Sequence, residues 1–264
     1  MKFIFLSALC CFTFVLSHTA QTTEQEIERR IIAVQVQKLK SADVETRRDA
    51  VYQLGLLRNA AASQAAANAL RDSAEIVRAE AARAVVYLAP TNAVQSLLPL
   101  LTDKSEFVRR ETAFALGRTF DKTAVDYLIK ALQTDKTASV RAAAAIALGQ
   151  ISDERAIEPL SQALLAPLTK KNLVIDEFVR RSAAKSLGQI RNRKAVPTLI
   201  SALRDKTNVD DVRREAARSL GVIADSSAIQ VLQENMNAED YYLAQIAADA
   251  LEIIRNSNLT NPLF

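Results

Sequence analysis

The chain has no tryptophan, only five glycines, and only two cysteines and one histidine among its 264 residues. Aromatic residues make up 5% of the sequence although 49% of all residues are hydrophobic, so the apolar core must consist mainly of Ala, Leu, Val and Ile. Side chains of this kind favour closely packed helices over a large globular core with a cofactor cavity.

The first 20 residues have the layout of a secretory signal peptide. Lys2 supplies a positive charge, an apolar run follows at 3–16, and small residues precede the polar segment that begins at Gln21. We therefore expect a signal peptide at 1–20 and an exported protein that is periplasmic or secreted. The apolar run is shorter than the about 20 residues of a spanning helix. We expect membrane attachment only if this segment is uncleaved.

Cleavage after Ala20 would remove Cys10, Cys11 and His18, which are the only cysteines and histidine of the chain. The remaining chain would then contain no thiol nucleophile, no histidine base and no imidazole or thiolate metal ligand. It also contains no Gly-rich phosphate loop and no carboxylate cluster with metal-ligand spacing. We therefore predict no catalytic residue, no bound metal and no cofactor.

The charges are evenly mixed along the chain. The 34 basic and 30 acidic residues give a formal charge of +4, and no run of Lys or Arg exceeds two residues. This distribution is not that of a nucleic-acid-binding surface. We predict no nucleic acid partner.

A ten-residue pattern, V-R-x-x-A-A-x-A-L-G, recurs along the rest of the chain. Its copies begin at Thr46, Val77, Val108, Val140, Val179, Val212 and Leu243. A second pattern, A-[V/I]-x-x-L-x-x-x-L, lies between most of the copies, and both place apolar residues at helical spacing. Repeats of this length indicate a solenoid of helical hairpins.

The ten-residue pattern resembles the second helix of the HEAT repeat, in particular the short HEAT-like form first associated with phycobilin lyases. The resemblance covers about 24–255. It implies an all-α fold, a right-handed α-solenoid of about seven HEAT-like helical hairpins. We expect this solenoid at 21–255, with capping units at about 24–57 and 226–255, followed by a polar tail at 256–264.

Three kinds of repeated residue are expected to build the scaffold. The glycine that ends the pattern permits either a close backbone contact or a left-handed helix exit. An Asn or Asp four residues later is expected to cap the next helix. By the family resemblance, the repeated arginine should form a ladder of bonds to turn carboxylates or carbonyls. These arginines are Arg47, Arg78, Arg109, Arg141, Arg180 and Arg213.

The variable positions of the pattern lie four residues apart and share one helix face. If second helices line the concave side, as the resemblance implies, these positions form a groove with an apolar centre and basic ends, which suits an acidic protein or peptide. The candidate partner-binding residues are Arg48, Tyr52, Arg83, Arg110, Phe114, Ile146, Arg181, Lys185, Arg214 and Arg218. The alternative is a solvated helix face whose cations are neutralised by the adjacent Asp49, Glu80, Glu111 and Glu215.

An insertion at 165–176 lengthens one repeat to 39 residues. Insertions in solenoids often carry recognition, which makes Lys170, Lys171, Leu173, Val174 and Ile175 a second set of candidates. The alternative is a tolerated surface loop, since extra loop length costs little entropy.

These features predict a non-catalytic protein- or peptide-binding scaffold that is exported from the cytoplasm. The alternative is a lyase-like or small-ligand-binding relative of the bilin lyases. HEAT-like base-excision proteins, which bind DNA, fit less well because an exported protein does not meet the genome.

Overall fold

The computed structural model describes residues 24–166 and 173–260, and every regular element within these ranges is a helix. The predicted all-α fold is confirmed. No helix in the described part of the chain is both long and apolar enough to span a bilayer. The predicted signal peptide at 1–20 lies outside the described residues, as do 167–172 and 261–264.

Fourteen α-helices follow one another in these ranges, and consecutive pairs form seven hairpins. The helices are α1 (24–38), α2 (Val44–Leu56), α3 (Ala60–Ala66), α4 (Glu75–Ala84), α5 (Pro90–Leu97), α6 (Glu106–Arg118), α7 (Val125–Thr134), α8 (Ala138–Ile151), α9 (Ile157–Leu165), α10 (Leu173–Ile190), α11 (Val196–Arg204), α12 (Asp210–Ile223), α13 (Ile229–Asn235) and α14 (Tyr241–Thr260). Short 3₁₀ helices extend several first helices.

The described residues form two compact units that divide between Val85 and Val86. The first unit contains α1–α4, and α2 packs against both α3 and α4. The second unit contains the five hairpins from α5 to α14. Its second helices, the even-numbered ones, pack against one another in chain order, and its first helices do so less closely. This stacking of hairpins is that of an α-solenoid.

Four of the five glycines, all except Gly55, make close helix contacts, and none of the five serves a left-handed turn. None has a positive φ. A Cβ on Gly117 would lie 2.7 Å from the Ala147 Cα, and one on Gly221 would lie 2.8 Å from the Ala250 Cβ. Left-handed backbone occurs instead three residues after each glycine, at Arg58, Phe120, Ser152, Arg191 and Ala224. Of the two roles expected for glycine, the structure selects the close contact.

The helix caps form as predicted. The side chain of Asp121 accepts a hydrogen bond from the Thr123 amide at 2.8 Å, and Asn59 accepts one from the Ala62 amide at 2.9 Å. The remaining members of the set, Asp153, Asn192 and Asp225, cap the next element in the same way. Five hairpin starts are therefore fixed by one polar side chain each, whereas α5 begins at Pro90 without a side-chain cap.

The predicted arginine ladder is also confirmed. Arg109 donates two hydrogen bonds to the Asp135 carboxylate, at 2.7 and 3.1 Å, and a third to the Asp103 carbonyl at 2.9 Å. It thereby joins the turn of its own hairpin to the turn of the next. Arg47 makes the same bonds to Asp72 and to the Ser41 carbonyl.

Asparagine replaces aspartate further along the ladder. Arg180 donates to the Asn208 side chain, and Arg213 donates to Asn235 at 3.0 Å. The sequence patterns did not identify either asparagine, because the ladder was recognised from the aspartates alone.

Two boundaries differ from those expected. Helix α14 continues to Thr260 and includes the first five residues of the expected polar tail, because Ile254 is buried and 251–260 contains no proline or glycine. The insertion is shorter than expected, because Leu173, Val174 and Ile175 begin α10, which has 18 residues against 14 in α8 and α12.

We expect Gly117→Ala to destabilise the protein by about 1 to 3 kcal/mol, because the new methyl group meets the backbone of α8, which cannot rotate away. Gly55→Ala is the matched control: its Cβ would lie 3.4 Å from Ala84, an ordinary contact, and alanine favours the helix by up to about 1 kcal/mol. Urea denaturation followed by circular dichroism measures both. Equal effects of the two substitutions would contradict the close-contact role.

We expect Asp135→Ala to cost about 3 to 5 kcal/mol, because it leaves the buried Arg109 guanidinium without its counter-charge. Asp126→Ala is the control: Asp126 is 72% exposed in its pair with Arg155, and such surface pairs contribute about 0 to 1 kcal/mol. The same urea measurement applies, and a comparable loss in both variants would contradict a special role for the ladder.

The Asp135 pair also predicts a pH dependence. Burial raises the pKa of Asp135, but hydrogen bonds from Arg109 and from the Thr137 amide outweigh it, so the pKa is lowered. Its stabilisation is therefore present above the unfolded pKa of about 3.9 and is lost as the pH falls through the lower folded value. The difference in stability between wild type and Asp135→Ala should stay constant from neutral pH to about pH 4 and shrink below it.

Candidate binding surface

All ten candidate residues of the predicted stripe lie on second helices. Three belong to the first unit: Arg48 and Tyr52 on α2, and Arg83 on α4. The other seven belong to the second unit: Arg110 and Phe114 on α6, Ile146 on α8, Arg181 and Lys185 on α10, and Arg214 and Arg218 on α12.

In the first unit the two candidate arginines are paired within their own helices. Arg48 lies 3.0 Å from Glu45, and Arg83 lies 3.1 Å from Glu80. Tyr52 is 49% exposed. The positive charge of this part of the stripe is therefore largely cancelled.

Two of the four candidate arginines of the second unit are also paired with a glutamate of their own helix. Arg110 lies 3.1 Å from Glu111 and also stacks over the Phe107 ring, and Arg218 lies 2.8 Å from Glu215. The adjacent glutamates thus neutralise these cations, as the alternative interpretation proposed. Asp49 was also expected to neutralise the stripe, but among the described residues it forms no ion pair with a stripe arginine. Glu45 pairs with Arg48 instead.

Arg214 is a structural residue. It donates two hydrogen bonds to the Asp240 carboxylate, at 2.7 and 2.8 Å, and a third to Asp211 at 3.0 Å. The hydrogen bonds between Arg214 and Asp240 lower the pKa of the Asp240 carboxyl and raise the pKa of the Arg214 guanidinium. Because Asp240 lies in the turn before α14, the pair joins the last two hairpins, and Arg214 is unavailable to a partner.

Three of the candidates meet at one cleft of the second unit, with a volume of about 330 Å³. Its lining residues come from α8, α10 and α12: Ile146, Gln150, Phe178, Arg181, Ser182, Lys185, Gln189 and Glu215. Ile146 and Phe178 form its apolar part. Phe114, which was expected at the apolar centre of the groove, is half-buried and does not line this cleft.

The two basic residues of the cleft differ in their surroundings. Arg181 stacks over the Phe178 ring at 5.3 Å and lies 3.1 Å from the Asp211 carboxylate. Lys185 is exposed, and among the described side chains no carboxylate lies within ion-pair distance of it. Glu215, across the cleft, is engaged by Arg218. Lys185 is therefore the basic residue of the stripe whose charge remains uncompensated.

The sequence patterns missed Phe178, which is 43% exposed at the cleft. It immediately precedes the Val of the ten-residue pattern, and Phe107 occupies the same position two hairpins earlier. Both rings carry a stacked arginine. This shared position directly before the pattern is the sequence signal that could have identified Phe178.

A larger cleft of about 610 Å³ lies on the side of the first helices, at Leu98, Tyr127 and Lys130. Its wall includes Arg109 and Asp135, which are bonded to each other in the ladder. Two of its polar groups therefore already serve the scaffold and are not available to a ligand.

Lys170 and Lys171 lie outside the described residues, and Leu173, Val174 and Ile175 are placed only as the start of α10. In the part of the chain that the structure describes, no group of three or more His, Cys, Asp or Glu could hold a metal ion.

Comparison with known proteins agrees with this architecture. The model of the family described as HEAT repeats matches residues 32–113, 94–170 and 176–252. Together these matches cover most of the chain, which therefore belongs to the HEAT repeat family. No curated protein matches the sequence.

Several solved structures are similar. The complex of CpcE and CpcF of phycocyanin lyase from Nostoc sp. PCC7120 shares 26% identity over 88% of this chain and 94% of that chain, with a TM-score of 0.52. The Escherichia coli protein YibA shares 18% identity over 88% and 96%, with a TM-score of 0.52. An engineered protein shares 23% identity over 85% and 68%, with a TM-score of 0.55. The last two show the fold alone.

Proposed function

We propose that this protein is a non-catalytic scaffold that binds an acidic protein or peptide segment on its second helices, centred on the cleft at Lys185. The observation that carries the proposal is the uncompensated charge of Lys185 beside the apolar Ile146 and Phe178. A carboxylate of the partner would pair with Lys185 while an adjacent apolar side chain covers the two apolar residues. The proposed site is thus narrower than the ten-residue stripe.

The packing of the second unit supports the choice of this side. Its second helices lie closer together than its first helices, as on the inner side of a curved stack of hairpins. Solenoids use such inner surfaces to hold extended partners. Successive second helices would offer an extended or helical segment a continuous row of contacts.

A peptide selection tests the proposal. Peptides selected from a displayed library against the wild-type protein should combine Asp or Glu with Leu or Phe, and fluorescence anisotropy gives their affinities. We expect Lys185→Glu to weaken binding at least tenfold, about 1.4 kcal/mol, and Ile146→Ser to weaken it as well. Lys130→Glu, an exposed lysine on a first helix, is the matched control and should change little. Equal binding to wild type and Lys185→Glu would refute the site.

The alternative function is that of a lyase-like or small-ligand-binding protein. The similarity to the complex of CpcE and CpcF of phycocyanin lyase favours it. In that case the same cleft would take a small molecule, and a linear tetrapyrrole added to the protein would change its absorbance spectrum. A spectral change that Lys185→Glu abolishes, with no peptide selected, would favour the alternative over the scaffold.

We also propose that the protein is exported, on the evidence of the apolar run at 3–16 and the small residues that end at Ala20. Expression of the full chain in a bacterial host should give a periplasmic or secreted protein whose intact mass begins at Gln21. A cytoplasmic product that retains Met1 would contradict export.

A further inference from the structure

Helix α1 has an apolar row that its own unit leaves uncovered. Ile27, Ile31 and Val34 are 54%, 39% and 52% exposed. Their spacings of four and three residues place them on one face, as in the seam of a coiled coil. The inner side of α1 carries Ile32 and Val36, which are half-buried, as is Leu39 directly after the helix. The buried Gln35 lies at the edge between this side and Ile31. One side of α1 thus packs within the unit, while a second apolar row points to solvent.

This exposure is unusual for the position of α1 in the fold. Terminal hairpins of a solenoid are capping units, and their outer faces are normally polar. An exposed apolar row rimmed by charged residues is a candidate contact surface.

The charges of α1 identify the kind of helix that would fit. The two ends of the helix carry opposite charges, with Glu24 at its start and Lys38 at its end, each seven residues from Ile31 and on the face of the apolar row. Arg29 and Arg30 lie near the middle of the helix, and Arg30 lies 3.2 Å from Glu26 of its own helix. Two such helices side by side in the same direction would place like charges together. In opposite directions, Glu24 of each would lie against Lys38 of the other.

We infer that α1 pairs with α1 of a second copy of this chain, antiparallel, about a two-fold axis near Ile31. In this arrangement Ile27 faces Val34 of the second copy, and Glu24 faces Lys38 of the second copy. The contact is isologous, so it closes as a dimer. A head-to-tail contact would use two different surfaces and would form open chains.

The predicted dimer is weak. A single pair of short helices buries less than the about 1,200 Å² of a standard stable interface. We therefore expect association in the micromolar range that weakens at high salt, because exposed charge pairs are screened.

Sedimentation velocity on the protein recovered from expression of the full chain tests this inference. The wild type should change from monomer to dimer as its concentration rises. Ile31→Lys should remain monomeric, and since Ile31 is partly exposed, its circular dichroism should match the wild type. Arg29→Glu, on the opposite side of α1, is the control and should dimerise. A wild type that is monomeric throughout, or an Ile31→Lys variant that still dimerises, would overturn the inference.

A charge swap tests the antiparallel direction. Glu24→Lys places two lysines at each end of the pair and should weaken the dimer at least fivefold. Adding Lys38→Glu to the same chain restores opposite charges in both copies, so the double variant should recover most of the affinity. A double variant that dimerises no better than Glu24→Lys would rule out this pairing.

Discussion

The close approach of consecutive second helices is the constraint on which the second unit depends. At Gly117 and Gly221 the neighbouring helix lies so near that a single methyl group would overlap it. At two further levels a serine uses the same short distance, because Ser186 and Ser219 each donate a 2.8 Å hydrogen bond to a backbone carbonyl of the preceding second helix. This spacing requires small residues where second helices face one another and leaves the larger, variable residues on their exposed face, where a partner could reach them.

Electrostatics divides the charged residues into two groups. The ladder arginines and Arg214 are held by turn carboxylates or amides and connect hairpins. The arginines on the exposed face of the second helices mostly pair with a glutamate of their own helix. A sequence that is rich in both signs thus leaves little free charge on this surface. Lys185 differs from these paired arginines, and an uncompensated cation beside apolar side chains can distinguish an acidic partner.

The fold could be read from the sequence to a large extent. The hairpins, caps, ladder and glycine positions follow from a pattern that repeats seven times, and each copy reinforces the others. The interpretation was incomplete at three places: the start of α10 inside the insertion, the helical continuation to Thr260, and the asparagines that replace ladder aspartates. The candidate site was predicted only in part. Ile146, Arg181 and Lys185 meet at one cleft, but Phe178 was missed and Arg214 belongs to the scaffold.

The sequence by itself determined the periodic part of this protein, because helical spacing and small-residue positions depend on neighbours close along the chain. Only the tertiary structure decided which charges are free and which apolar residues are covered. Arg214 and Asp240 are 26 residues apart, as are Arg109 and Asp135, and each pair forms only when successive hairpins stack. The tertiary structure likewise decided that Ile27, Ile31 and Val34 on α1 are exposed. The sequence pattern of a helix with two apolar faces does not determine which face the fold buries.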